Sequence, residues 1–313
     1  MKIRNKRKWI FGVLILFFCA QWIRGIYPDQ EKQGRALIYS LAVKIFPAAA
    51  RQTRKGYGLH LLNLVREKSE YPYIIILIHG LDEPGKFWMN LAPVLISKDY
   101  QVYDMVYPND QAISLSSEFF FNELKKWNET RPVSIIAHSM GGLVTRDMLT
   151  RPDLAYSAMV QKGRAPRVKQ LIMIGTPNHG SQLVRFRMVT EIRDQMHHWL
   201  RKNAHPLHFL FDGTGAAAVD LIPGSKFLTV LDSRPHPQGV AMHIIAARVI
   251  PKDWKICDWI GDVLVTVEST RLKGVSHTLV PGTHLSMIRN LTSSSSRVPP
   301  AVPVVMDLLG QGS

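Results

Sequence analysis

The chain has 313 residues, with 39 lysines and arginines against 24 aspartates and glutamates, for a formal net charge of +15. That length buries a full core in one α/β domain. Only two cysteines are present, which excludes a disulfide-built scaffold. The basic excess alone would suit nucleic acid, but no recognition motif or aromatic-interleaved basic stripe accompanies it, so no nucleic-acid partner is expected.

At the N-terminus, Lys2, Arg4, Lys6, Arg7 and Lys8 precede an apolar run from Trp9 to Ala20. This pattern predicts a signal peptide or N-terminal membrane anchor over residues 1–27. Cutting after Ala20 would put Phe18 at the −3 position, where a small residue is expected. Retention as an anchor is therefore expected, although the run to Ile23 is short for a span of about 20 residues. Basic residues ahead of the run place the domain on the exported side, periplasmic or extracytoplasmic, or secreted if the segment is cleaved. Removing those five basic residues leaves +10, which favours an anionic membrane surface.

Residues 28–56 form a second unit. Leu37, Ile38, Leu41, Ala42, Ile45 and Phe46 recur at helical spacing within Gln30–Phe46. A helix packed on the domain is favoured over one lying in the membrane interface.

Residues 57–292 alternate strands with helices. Strands are expected at Leu59–Val65, Tyr73–Ile78, Val102–Val106, Val133–Ile136, Val168–Ile174, Ala241–Ala247 and Thr278–Val280. Helices are expected at Phe87–Ile96, Glu118–Trp127 and Gly142–Leu149. Such alternation predicts an α/β fold, a mostly parallel sheet flanked by helices.

The chemistry concentrates after four of these strands. Tyr73–Ile78 is a continuous apolar run, as in a strand buried on both faces, and it ends at His79-Gly80-Leu81. A second strand runs into Ala137-His138-Ser139-Met140-Gly141-Gly142 and then into a helical pattern. A strand, a tight turn with small residues two before and two after a serine, and a helix make a nucleophile elbow. Ser139 is the expected nucleophile, and the amides of Met140 and Leu81 are the expected oxyanion-hole donors. His79, Gly80 and His138 line the same edge and are expected at the substrate. The acid and base should follow in that chain order. Asp262 follows Gly261 in a projecting loop, with Asp258 and Asp253 in reserve. His284 follows a short apolar run and a Pro-Gly turn. Its rival, His277, precedes that run and would sit at the opposite sheet edge.

An insertion of about Gln182 to Gln238 separates Val168–Ile174 from the next strand. It is expected to form a helical cap whose apolar residues, Phe186 and Trp199 among them, contact acyl chains. His197, His198, His205 and His208 crowd it, but neither Asp194 nor Asp212 completes a zinc set, so no metal is expected. No cofactor is expected either. Residues 293–313 read as a Ser/Pro-rich linker and a C-terminal segment, with Ala301–Leu309 a short helix or strand.

Val133 to Gly142, the string Gly175-Thr176-Pro177-Asn178-His179-Gly180-Ser181, Gly261 to Ser269 and His284 resemble the α/β-hydrolase lipases. The resemblance is greatest to the triacylglycerol lipase-like and GPI inositol-deacylase-like branch. It covers roughly residues 70–290. It implies an α/β-hydrolase fold, lipase or esterase activity, and a Ser139–Asp262–His284 triad. Two positions depart from the family pattern: Ala137 and Val263 stand where glycine is usual. The expected function is a membrane-associated serine hydrolase acting on lipid or other carboxylic esters. An acyltransferase, thioesterase or amidase on the same triad, or a non-catalytic lipid-binding scaffold, are the alternatives. Nothing in the sequence indicates an oligomeric state.

Overall fold

The computed structural model describes residues 30, 44, 56–63, 73–81, 86–181, 216–249, 261–290, 295 and 297–311. The expected signal or anchor, most of Gln30–Phe46, the insertion up to residue 215 with Phe186, Trp199 and its histidines, and Asp253, Cys257 and Asp258 lie outside these residues. No helix among the described residues is long and apolar enough to cross a membrane.

Among the described residues, seven strands form one sheet: β1 (Gly58–Leu61), β2 (Tyr73–Ile78), β3 (Tyr100–Val106), β4 (Val133–His138), β5 (Val168–Ile174), β6 (Ala241–Arg248) and β7 (Ser276–Pro281). Their order is β1-β3-β2-β4-β5-β6-β7. Only β1 is antiparallel, against β3, and the other neighbours are parallel. The apolar runs in β2, β4 and β5 follow from this position, because central parallel strands are covered on both faces. Ile74, Ile76, Ile78, Ile135, Ala137, Leu171 and Met173 enter one core. The alternate residues Ile75, Leu77, Ile136, Ile172 and Ile174 enter the other.

The helices are α1 (Ala92–Ser97), α2 (Ile113–Trp127), α3 (Met140–Thr150), α4 (Tyr156–Gln161), α5 (Ala216–Asp220), α6 (Lys226–Asp232), α7 (Val267–Thr270) and α8 (Ala301–Gln311). The expected helix Phe87–Ile96 is instead a 3-10 turn, Lys86–Trp88, followed by α1. Pro93 sits in the first turn of α1, where its missing N–H does no harm, and it marks a fresh helix start. The helix α2 begins five residues earlier than its sequence pattern, at Ile113, whose amide is held by the Asp220 carboxylate at 2.9 Å. β1 stops at Leu61 rather than Val65. The described end of the insertion belongs to the main core, since Ala217, Leu221, Leu228 and Leu231 pack there with α2 and α3. The C-terminal segment is helical and covers the opposite core through Ala301, Val302, Val305 and Leu309.

Candidate active site

Parallel strands deliver their following loops to one sheet edge, and the candidate residues follow β2, β4 and β7 or precede α7. Ser139 stands between β4 and α3 with φ 52° and ψ −127°. That conformation is rare and strained for a residue bearing a Cβ. Its amide donates to Ile174 O at 2.8 Å, which ties the turn to the end of β5. The small residues behind it are obligatory. A Cβ on Gly141 would lie 2.6 Å from Ile78 O, and one on Gly142 would lie 2.1 Å from Thr176 Oγ1. The start of α3 can therefore press directly against the ends of β2 and β5.

Asp262 and His284 meet at the same edge. Nδ1 of His284 donates to Oδ2 of Asp262 at 2.6 Å, and the residues are 3% and 1% exposed respectively. The carboxylate's other oxygen, Oδ1, accepts the amides of Leu264 at 2.9 Å and Val265 at 2.7 Å. A buried carboxylate holding three donors is compensated for its loss of water. The His284 main-chain N–H also donates to Asp262 O at 2.9 Å. Gly261 permits the turn that aims the acid, since its φ is +55° and a Cβ there would meet Val265 O at 2.1 Å. Val263 follows with φ 81°, so the valine adopts a conformation that suits glycine. It is 46% exposed.

His277 lies at the start of β7, away from this pair, and its Nε2 is 2.9 Å from Thr270 Oγ1. Burial pulls its imidazole below the ordinary range, with Arg271 adding to the effect.

His79 and His138 are both buried, and their described polar contacts are to main-chain carbonyls. Nδ1 of His79 donates to Gly80 O at 2.8 Å while its ring stacks on Tyr107 at 4.8 Å. Tyr107 Oη donates to His79 O at 2.7 Å, and Asn109 Nδ2 to Gly80 O at 3.3 Å. Two consecutive carbonyls ahead of Leu81 are thus fixed from the loop after β3. Nε2 of His138 donates to His284 O at 3.0 Å. Sequence reading did not identify Tyr107 and Asn109; the Tyr-Pro-Asn turn directly after β3 was the available signal.

A second polar cluster went unnoticed inside α3. Arg146 and Asp147 are nearly inaccessible, the only charged residues of α3. Arg146 donates to Asn178 Oδ1 at 3.0 Å and Asp232 Oδ1 at 3.2 Å. Asn178 donates to Thr270 O at 2.6 Å. Asp147 pairs with Arg234 at 2.7 Å, and with Ser117 through a short bond. His179 Nδ1 lies 3.0 Å from Asp232 Oδ2. These contacts tie the helix that follows Ser139 to the Gly175–Ser181 loop and to α6. No group of three or more metal-ligating side chains occurs among the described residues.

Chemically, the edge holds a strained serine at a helix N-terminus, a buried imidazole–carboxylate pair, and a glycine loop with fixed carbonyls. These are the parts of nucleophilic acyl transfer. A model of the PGAP1-like alpha/beta domain family matches residues 111–273, just over half of the chain. No curated protein is similar enough in sequence to count as a relative. Among solved structures, lipase BlEst2 from Bacillus licheniformis in mature form superposes with TM-score 0.56 at 18% identity, covering 80% of this chain and 97% of that one. Staphylococcus hyicus lipase gives 0.54 at 14% identity, covering 80% and 98%. Phospholipase PlaB from Legionella pneumophila gives 0.53 at 16% identity, covering 75% and 59%. At these identities the likeness is one of fold, the α/β-hydrolase fold.

Proposed function

The chain belongs to the PGAP1-like alpha/beta domain family, and from that premise we propose that it is an exported, membrane-associated serine hydrolase cleaving carboxylic esters of lipids. The observation that carries the reading is the buried 2.6 Å bond between His284 and Asp262 at the sheet edge where Ser139 is held in a strained turn. Nε2 of His284 takes the Ser139 proton as Oγ attacks the ester carbonyl. Asp262 holds the proton on Nδ1, fixes the tautomer and stabilises the imidazolium. The amides of Leu81 and Met140 receive the oxyanion. Removing one such donor typically costs about 10²–10³ in rate. His284 then gives its proton to the leaving alcohol, and water, activated by the same imidazole, releases the acyl group.

Export and membrane association rest on the five basic residues and the apolar run that open the chain. A lipid substrate suits that placement, and the lipases and phospholipase that share the fold carry the same suggestion. The test is fluorophosphonate labelling of the full chain, followed by an acyl-length series of esters. Labelling at Ser139 with ester turnover is the expected result. No labelling would overturn a serine hydrolase, and labelling without turnover would reassign the chain to acyl transfer. Intact-mass analysis tests the anchor. A chain beginning at or after Gln21, recovered in the soluble exported fraction, would overturn it.

A further inference from the structure

His138, next to the proposed nucleophile, has no step in this mechanism, yet it is completely buried. Its ring lies 4.6 Å from the His284 ring and 4.7 Å from Phe87. Phe87 in turn carries the Arg289 guanidinium at 5.7 Å on its ring. The only acceptor in the 3.0 Å contact between His138 Nε2 and His284 O is the carbonyl, so Nε2 carries the proton. The His284 backbone is therefore held at both ends, its N–H by Asp262 O at 2.9 Å and its C=O by His138. With the ring bound through Nδ1 to the carboxylate, the remaining freedom of the imidazole is small.

We infer that His138 is a positioning residue for the base: it bonds the His284 carbonyl and packs on its ring, so that Nε2 of His284 stays aimed at Ser139. This rests on the proposed triad. It also links the two halves of that triad, because His138 is the chain neighbour of Ser139 while its bond ends on His284, 146 residues away. Any shift of the elbow is transmitted to the base, and the two move as one unit.

The test compares His138→Phe, which keeps the ring and loses the donor, with His138→Gln, whose side-chain amide can donate to the same carbonyl. Turnover of a short-chain p-nitrophenyl ester by the full chain is read with the low-field proton resonance of the His284–Asp262 bond. His138→Phe should lower kcat about 10²-fold, the scale of a misplacement near 1 Å, and shift or broaden that resonance. Its KM should stay within about threefold, because ground-state binding is untouched. His138→Gln should recover most of kcat and the resonance. A His138→Phe enzyme with unchanged kcat and resonance, or two variants equally impaired, would overturn the role. If His138→Phe fails to fold, ¹⁵N spectra of the unaltered chain decide. A His138 protonated on Nε2 supports the bond, and a ring protonated on Nδ1 alone overturns it. Absence of labelling and turnover in the unaltered chain would defeat the proposed function, while the tautomer would still decide the His138 bond.

Discussion

Gly175 lies so close to His284 that a methyl group on it would stand 3.2 Å from both Nδ1 and Cε1 of the imidazole, and 3.4 Å from Oδ2 of Asp262. The glycine also has φ +60°, where a side chain is strained. Gly175→Ala should therefore act twice. Left-handed backbone destabilises the fold by about 1–2 kcal/mol, read as a lower midpoint of denaturation. The displaced imidazole should slow fluorophosphonate labelling well beyond what the loss of stability explains. An alanine enzyme that labels at the normal rate would show that the pair tolerates displacement.

Ser139→Ala should remove ester turnover almost entirely. Loss of a triad nucleophile typically costs about 10⁶ in rate, with a remnant from the oxyanion hole and binding. Circular dichroism should show the fold unchanged. A variant keeping a tenth of normal turnover would take Ser139 out of the mechanism.

Asp262→Asn should lower kcat by roughly 10⁴, since an amide favours the wrong tautomer of its histidine. The asparagine can still accept the Leu264 and Val265 amides, so stability should fall much less than activity. Mild kinetics here would place the acid elsewhere, with Asp258 and Asp253 as the next substitutions to measure.

The His179–Asp232 pair predicts a pH-dependent increment of stability. The bond from Asp232 raises the His179 midpoint above its ordinary 6.5, against partial burial. Burial works to raise Asp232, but His179 and Arg146 together outweigh it and hold the carboxyl below its ordinary 3.8. The histidine's share is full below its unfolded midpoint and is lost as pH rises through the raised one. The aspartate's share is full above its unfolded midpoint and is lost as pH falls through the lowered one. Both are present together between about pH 4 and 6.5. NMR titration should show His179 moving down in Asp232→Asn, and an unmoved midpoint would refute the pairing.

Val263 holds a left-handed φ of 81° beside the acid. Glycine is free of that strain but loses more entropy on folding, about 0.5–1 kcal/mol against a left-handed cost of about 1–2 kcal/mol. Val263→Gly should thus be neutral to stabilising, by up to roughly 1.5 kcal/mol, in chemical denaturation. A clear loss of stability would mean that the valine side chain makes a contact worth more than its strain.

The central strands were legible because burial on both faces demands unbroken apolar runs, and β2 and β5 match their sequence limits residue for residue. The strained turn at Ser139 and the pairing of Asp262 with His284 were legible through turn chemistry, a local signal, and through the order of those segments along the chain. The start of α2 was hidden because Ser114, Ser116 and Ser117 blur its apolar periodicity, although Ser116 and Ser117 are buried and hydrogen-bonded. The contacts of His138 with His284 and of Arg146 with Asp232 join distant segments. Nothing in either segment alone encodes its partner, and only the assembled sheet brings them together.

The bonds from His79 and Asn109 to Gly80 O reach further than the carbonyl they hold. The Gly80 carbonyl and the Leu81 N–H belong to one peptide group, planar and with its C=O and N–H bonds pointing in opposite directions. Holding the oxygen fixes the rotation of that plane, and so fixes the direction in which the Leu81 proton points. Where water answers a developing charge by turning its molecules, this amide, in the oxyanion-hole role proposed for it, has no turn left to make. Its alignment is complete when the chain folds.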